Sequence, residues 1–248
     1  MSELIGKWNY YFLRYAAGAI IGALLIVFLA KSVGYSETIN SLLKKTEDGK
    51  IELGAAIAVI SALGLAFCYI ASAPGAVFHA TRGIFFNRTT SARWRIIIVS
   101  LVIPAVFCFV VKKRLIHFPA LAYTNLTLDQ SKIIYAAAIV SVFIFAWQLV
   151  LLGFAFADFK PVKEFYWELT DNRAQKANNI EHYRRSYRDL REHGNAFEIV
   201  ILELLLVSIL IVVGKEYAPL VLALWVLPAA FCWIIGTMLE FRYPAAKP

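Results

Sequence analysis

The chain has 248 residues, of which 60% are hydrophobic and 17% are charged, whereas soluble domains are about 45–50% apolar and about 25% charged. A soluble core cannot absorb this excess, so an ordinary soluble protein is excluded. The net charge of +8 comes from basic residues that flank the apolar runs, which indicates contact with anionic lipid headgroups and excludes a nucleic-acid partner.

The apolar residues form six runs close to the ~20 residues that a helix needs to cross ~30 Å of hydrocarbon. The runs are residues 15–30, 53–78, 96–111, 133–157, 196–213 and 218–241. No small-residue cleavage site follows the first run, so we interpret it as an anchor and not as a signal peptide. Pro74 predicts a kink in the second run. Because the third run is short and contains Pro104, it is either a kinked span or a re-entrant element. We predict an all-α polytopic membrane protein with about six spans.

Lysine and arginine accumulate on the cytoplasmic side of membrane spans. With six spans, sixteen of these residues lie on one side and nine on the other. The segment 82–95 contributes most to the predicted orientation, because it has four arginines and no acidic residue. We therefore predict that both termini and the polar loop 158–195 are cytoplasmic, in a bacterial inner membrane. The spans divide into an N-terminal bundle, 1–132, and a C-terminal bundle, 133–248.

The loop 158–195 carries apolar and aromatic residues at three- and four-residue spacing, with arginines between them. This pattern predicts an amphipathic helix. It either extends the following span and packs on its neighbours or serves as a platform for lipid or a cytosolic protein partner. The residues assigned to partner binding are Tyr183, Arg184, Tyr187 and Arg188.

Small residues recur at every fourth position in the first two spans, where they allow helix backbones to approach closely. The first stripe is Gly18 and Gly22, and the second is Gly54, Ala58, Ala62 and Ala66. Such stripes serve packing within the chain or association between subunits. We predict a homo-oligomer.

Two carboxylates lie within the fifth run, and an ionisable group in a span is a functional hypothesis by default. Glu198 is near the start of the run and Glu203 lies deeper. Each carboxyl is either hydrogen-bonded to another helix or protonated for structural reasons, or it has a functional role. The three cysteines lie inside apolar runs, at positions 68, 108 and 232, and the sequence shows no metal-ligand spacing.

The sharpest local pattern is R-E-H-G-N-A-F-E, which contains Arg191, His193, Asn195 and Glu198. On a helix, Arg191, Asn195 and Glu198 share one face. A cation, an amide and a carboxylate on one face suit a zwitterionic, peptide-like ligand.

At these residues the sequence resembles the membrane-associated proteins in eicosanoid and glutathione metabolism (MAPEG). The resemblance covers residues 133–248 at most. It implies that Arg191, Asn195 and Glu198 help to bind glutathione, with His193 in the same motif. By position it also matches Arg242 to the arginine that polarises the glutathione thiol, which would make Arg242 catalytic.

Three functions follow from these patterns. The first is an oligomeric inner-membrane component, acting as an anchor, sensor or pore-forming unit with a cytosolic partner, as a bacterial stress or antiviral defence system would use. The second is a MAPEG-like, glutathione-dependent membrane transferase or peroxidase. The third is a proton-coupled transporter with Glu203 as the coupling carboxylate.

Overall fold

A computed structural model describes the backbone of residues 2–34, 37, 41, 52–115, 128–166, 168 and 196–242. Side chains are described for residues 15–34, 37, 41, 52–111, 132–166, 168 and 196–236. Within this part of the chain the protein is 95% helical and contains no strand. The predicted all-α class is therefore confirmed.

Six helices account for most of the described backbone. They are α1 (Ser2–Val33), α2 (Leu53–Ala71), α3 (Ala73–Thr81), α4 (Thr90–Leu115), α5 (Leu128–Ala157) and α6 (Ala196–Arg242). A 3-10 turn, Arg82–Phe85, follows α3, and residues 159–166 form a further helical stretch after α5. All of these helices except α3 contain a segment long and apolar enough to cross a membrane, which gives five candidate spans. The chain is thus an integral membrane protein.

The second predicted span is divided at Ser72, where the backbone leaves helical geometry at φ −80° and ψ 3°. The predicted kink near Pro74 is therefore confirmed, although the break lies two residues earlier. Pro74 becomes the second residue of α3, where its missing N–H has no helical acceptor to lose. The Ser72 hydroxyl donates to the Cys68 carbonyl at 2.6 Å, so the end of α2 is capped from within.

The third predicted span is a continuous helix of 26 residues with Pro104 inside it. At ~1.5 Å per residue, this length exceeds the ~30 Å hydrocarbon core. Continuity across Pro104 favours a full crossing over the re-entrant alternative.

The fifth and sixth predicted spans both lie in α6, whose apolar stretch Ala196–Gly236 has 41 residues. Gly214 interrupts the helix with φ 66° and ψ −176°, a conformation that residues with a Cβ rarely adopt. The stretch is about twice the ~20 residues of one span, and Gly214 divides it near its middle.

The chain forms two compact units. The first contains residues 1–72 and 194–222, and the second contains residues 73–193 and 223–248. Each unit contains residues from both predicted bundles, 1–132 and 133–248. The division of the spans into these two bundles stays a prediction.

In the first unit α1 packs against α2 through glycine. A Cβ at Gly64 would collide with the Ala19 carbonyl oxygen and would lie 2.6 Å from the Ala23 nitrogen. A Cβ at Gly22 would lie 2.6 Å from the Gly64 carbonyl oxygen. The first predicted stripe therefore packs within the chain. The second predicted stripe does not, because its residues, Gly54, Ala58, Ala62 and Ala66, are exposed.

In the second unit α5 is the central helix, and it packs against α4, α3 and the 3-10 turn. Phe78 of α3 stacks on Trp147 of α5, with ring centroids 6.0 Å apart. The helical stretch 159–166 returns to α3, where the buried Tyr166 hydroxyl donates to the His79 carbonyl at 2.6 Å.

Candidate functional site: the intramembrane acid Glu203

The first half of α6 carries both intramembrane carboxylates, and the structure distinguishes them. Glu198 lies in the first turn of α6 and is half-buried. Glu203 has 0% of its surface exposed. Because five residues turn a helix by about 500°, the two side chains leave α6 on faces about 140° apart. Glu203 faces the packed interior of the first unit.

Three helices enclose the Glu203 carboxyl. A Cβ at Gly22 would lie 3.1 Å from Glu203 Oε1, and a Cβ at Gly18 would lie 3.6 Å from the same atom. On the α2 side, Cys68 lies against Gly18, where a Cβ would be 2.6 Å from the thiol sulfur. The carboxyl occupies space that glycine leaves empty on α1.

Neither carboxyl oxygen of Glu203 has a hydrogen-bond partner of standard geometry in the described part of the chain. The Cys68 thiol is the polar group placed beside it. A thiol is a weak donor, and it carries no positive charge. A Cβ at Gly18 would also lie 3.0 Å from Cγ2 of Ile199, so apolar atoms adjoin this space. No cation among the described residues compensates a negative charge at this position.

This environment permits one kind of chemistry at Glu203. An ionised carboxylate without a partner is strongly disfavoured inside a span, by about 3 kcal/mol or more. A carboxyl can remove that penalty by taking up a proton, which leaves a neutral acid of similar size. The group can therefore hold a proton when closed and release it when water or a cation reaches it.

The sequence-predicted ligand motif falls mostly outside the described residues. Arg191, His193 and Asn195 precede the described start of α6, and only Glu198 of the motif is described. Arg242 ends α6, but its side chain lies outside the described part. The predicted partner-binding residues Tyr183, Arg184, Tyr187 and Arg188 lie outside it too. Their assigned roles stay predictions.

The second unit contains two side chains with buried polar atoms whose environment the sequence did not predict. Gln148 is 0% exposed and its Nε2 donates to the Trp225 carbonyl at 3.4 Å. Arg82 has two buried nitrogens, Nε and Nη2, without an acceptor in the described part of the chain. In the sequence, Arg82 served only as a topology signal in a basic segment. No local pattern marks it, because its neighbours come from residues 165 and 166.

One apolar cavity of about 30 Å³ lies in the second unit, between Thr81, Leu152 and Cys232. This volume holds no more than a few waters. No cluster of three His, Cys, Asp or Glu side chains suited to a metal ion occurs among the described residues.

Searches of protein-family models, curated proteins and solved structures found no significant match to this chain.

Proposed function

We propose that the protein is a self-associating membrane component, a sensor or pore-forming unit, in which Glu203 is the working group. The carboxyl holds a proton while α1, α2 and α6 are closely packed, and it ionises when their packing opens. The observation that carries this proposal is the complete burial of Glu203 without a hydrogen-bond partner in the described part of the chain. A passive anchor gains nothing from an acid at this depth.

Glu203 suits a two-state device because its cost depends on its surroundings. In the packed state the neutral acid is tolerated, whereas in an opened state water can solvate the carboxylate. Cys68 is the titratable side chain that faces it among the described residues. A proton or a voltage-driven ion can then shift the population between the two arrangements.

Self-association is supported by the exposed stripe on α2. Four small residues at four-residue spacing, Gly54, Ala58, Ala62 and Ala66, face away from the described neighbours. Such stripes allow a second helix backbone to approach closely in a bilayer. We propose a second copy of this chain there, which agrees with the predicted homo-oligomer.

The location and partner belong to the same proposal. The arginines of segment 82–95, which have no acidic residue among them, favour a cytoplasmic position for this segment. We propose that the membrane is a bacterial inner membrane with both termini cytoplasmic. The cytosolic partner would dock on the predicted amphipathic helix, as part of a stress or antiviral defence system.

Ion flux through vesicles tests the role of Glu203. The purified protein is reconstituted into liposomes that enclose a pH-sensitive dye, and a pH gradient is imposed. We expect wild type to dissipate the gradient and Glu203→Gln to be at least about tenfold slower, since an amide cannot exchange the proton. Glu216→Gln is the matched control, because Glu216 is an exposed acid on the same helix. Equal rates for wild type and Glu203→Gln would overturn the proposal.

Cross-linking in the membrane tests the association through α2. Ala62→Leu adds bulk to the exposed stripe and should lower the oligomeric fraction, since close backbone approach is blocked. Ala105→Leu is the control, because Ala105 is also exposed on a candidate span. An unchanged oligomer in Ala62→Leu would exclude this face as the interface.

A second candidate function, the glutathione-dependent MAPEG-like enzyme, is favoured by the position of Glu198. This residue lies in the first turn of α6, where the resemblance places a ligand-binding glutamate at the beginning of a helix. We propose glutathione as the ligand in that case, with Arg191, Asn195 and Glu198 in contact with it. Millimolar glutathione should then raise the melting temperature of wild type but not of Glu198→Gln. No shift in wild type would exclude this candidate and leave the Glu203 proposal untouched.

A further inference from the structure

The 3-10 turn Arg82–Phe85 lies on the helical stretch 159–166 at very short range. A Cβ at Gly83 would lie 2.6 Å from the Val162 Cα, so only glycine allows this approach. Tyr166 fixes the same contact from the other side, because its hydroxyl donates to the carbonyls of His79 at 2.6 Å and Ala80 at 3.2 Å. The ring of Tyr166 is 1% exposed. The 3-10 turn, the end of α3 and the stretch 159–166 therefore pack closely around Arg82.

The Arg82 guanidinium lies over two aromatic rings. Its central carbon is 5.3 Å from the centroid of the Phe165 ring and 5.7 Å from that of Tyr166. Cation–π attraction stabilises the charge at such distances. It does not satisfy the N–H groups, which lie in the guanidinium plane and require acceptors of their own.

The nitrogens that lack an acceptor are the ones that bind oxyanions best. Nε and Nη2 of Arg82 are both buried, and neither has an acceptor among the described residues. These two nitrogens form one edge of the guanidinium, on which two N–H bonds run parallel and match two oxygens of a carboxylate or phosphate. An arginine cannot escape this situation by losing its proton. A buried, unpaired bidentate edge therefore points to a missing anion.

The two acidic residues of segments 82–95 and 158–166 are already paired. Arg88 donates from Nη2 to Asp158 Oδ2 at 3.0 Å, and Lys160 lies 3.8 Å from Glu164. The segments 82–95 and 158–166 contain six basic residues and only these two acids. The counter-charge for Arg82 is thus not supplied by these two segments.

The position in the fold favours a lipid as the source of that anion. Residues 82–89 connect the end of α3 to the candidate span Thr90–Val111, so they lie near one face of the bilayer. Aromatic side chains such as Phe165 and Tyr166 are typical of this depth. A surplus of basic residues beside a membrane attracts anionic headgroups.

We propose that Arg82 binds the phosphate group of an anionic phospholipid, with Nε and Nη2 donating to two phosphate oxygens and the rings of Phe165 and Tyr166 forming the floor of the site. Both nitrogens are closed to solvent in this structure, so the side chains that cover them move aside when the headgroup binds. Arg93 of α4 supplies the positive field that selects an anionic headgroup over a zwitterionic one.

Thermal unfolding of the delipidated protein in detergent tests this site. Phosphatidylglycerol should raise the melting temperature of wild type by several degrees, whereas phosphatidylcholine and inorganic phosphate at the same concentration should not. Arg82→Lys keeps the charge but loses the bidentate edge, so its apparent affinity for phosphatidylglycerol should fall roughly tenfold or more. Arg95→Lys is the matched control, because Arg95 is an exposed arginine of α4.

Three outcomes would overturn the proposal. The first is a wild-type protein that phosphatidylglycerol does not stabilise, and this result does not depend on any variant folding. The second is equal stabilisation by phosphatidylcholine or inorganic phosphate, which would remove the anionic lipid as the source. The third is an equal loss of affinity in Arg82→Lys and Arg95→Lys, which would indicate a diffuse charge effect and no defined site.

Discussion

Each of the two compact units contains an ionisable side chain with buried polar atoms that lack a hydrogen-bond partner among the described residues, yet the chemistry of the two groups is opposite. In the first unit it is the carboxyl of Glu203, enclosed by glycine backbone and a thiol. In the second it is the guanidinium of Arg82, enclosed by two aromatic rings. An acid can neutralise itself with a proton, whereas arginine keeps its charge at any accessible pH. A neutral acid needs no counter-ion, whereas the charged guanidinium requires an acceptor, which we propose to be an anionic lipid.

The largest expected effect comes from a substitution at Gly64, where α1 and α2 pack closely beside Glu203. Gly64→Val places side-chain carbons where the Ala19 and Ala23 backbone lies, and backbone cannot move aside as a flexible side chain can. We expect a loss of about 3 kcal/mol or more in unfolding free energy, or no folded protein at all.

The folded fraction is read by size-exclusion chromatography in detergent. Gly54→Val is the control, since a Cβ at Gly54 meets nothing within 4 Å on the same helix. If both variants behave alike, the close packing of α1 on α2 is not as described.

A smaller effect is expected when Glu203 itself becomes apolar. Glu203→Met keeps a similar length and volume while removing two unsatisfied oxygens. The variant should be more stable than wild type by about 1–2 kcal/mol, while losing the proposed ion flux. Thermal unfolding of the variant and of Glu203→Gln, which retains unsatisfied polar atoms, provides the comparison. A destabilised Glu203→Met would show that the carboxyl is structural.

The smallest effect concerns the ring that underlies Arg82. Tyr166→Phe removes the hydroxyl that donates to the His79 and Ala80 carbonyls but keeps the aromatic face. We expect a loss of about 1 kcal/mol in stability, as for one buried hydrogen bond, with stabilisation by phosphatidylglycerol retained.

Thermal unfolding with and without the lipid separates these two quantities. Tyr217→Phe is the control, because Tyr217 is a half-buried tyrosine of α6. Loss of the lipid response in Tyr166→Phe would mean that the hydroxyl, and not Arg82, contacts the headgroup.

Hydropathy predicted most of the helical architecture, because a span depends on local composition. The kink predicted near Pro74 lies close to the observed break at Ser72, because proline disturbs the helix only in its own neighbourhood. Gly214 was not singled out. A single glycine with a positive φ has no composition signal, and the apolar residues on both sides continue without change.

The buried charges show where local reasoning ends. Glu203 was identified because an acid inside an apolar run is conspicuous whatever surrounds it. Arg82 was not, because its significance comes from Phe165 and Tyr166, which lie more than eighty positions along the chain. The same limit applies to Gly64. It lies off the small-residue stripe of α2, and the contact depends on where α1 crosses.

The contact between Glu203 and two glycines of α1 has a consequence for how this sequence can change during evolution. The carboxyl fills the space that a Cβ at Gly22 would require, with only 3.1 Å between that position and Oε1. A relative with alanine at position 203 would lose this obstacle and leave a cavity instead, which disfavours an empty site. Position 22 is also blocked from the α2 side, because a Cβ there would lie 2.6 Å from the Gly64 carbonyl oxygen, so glycine should persist at 22 whatever residue occupies 203. A lineage that keeps the acid must keep the glycine.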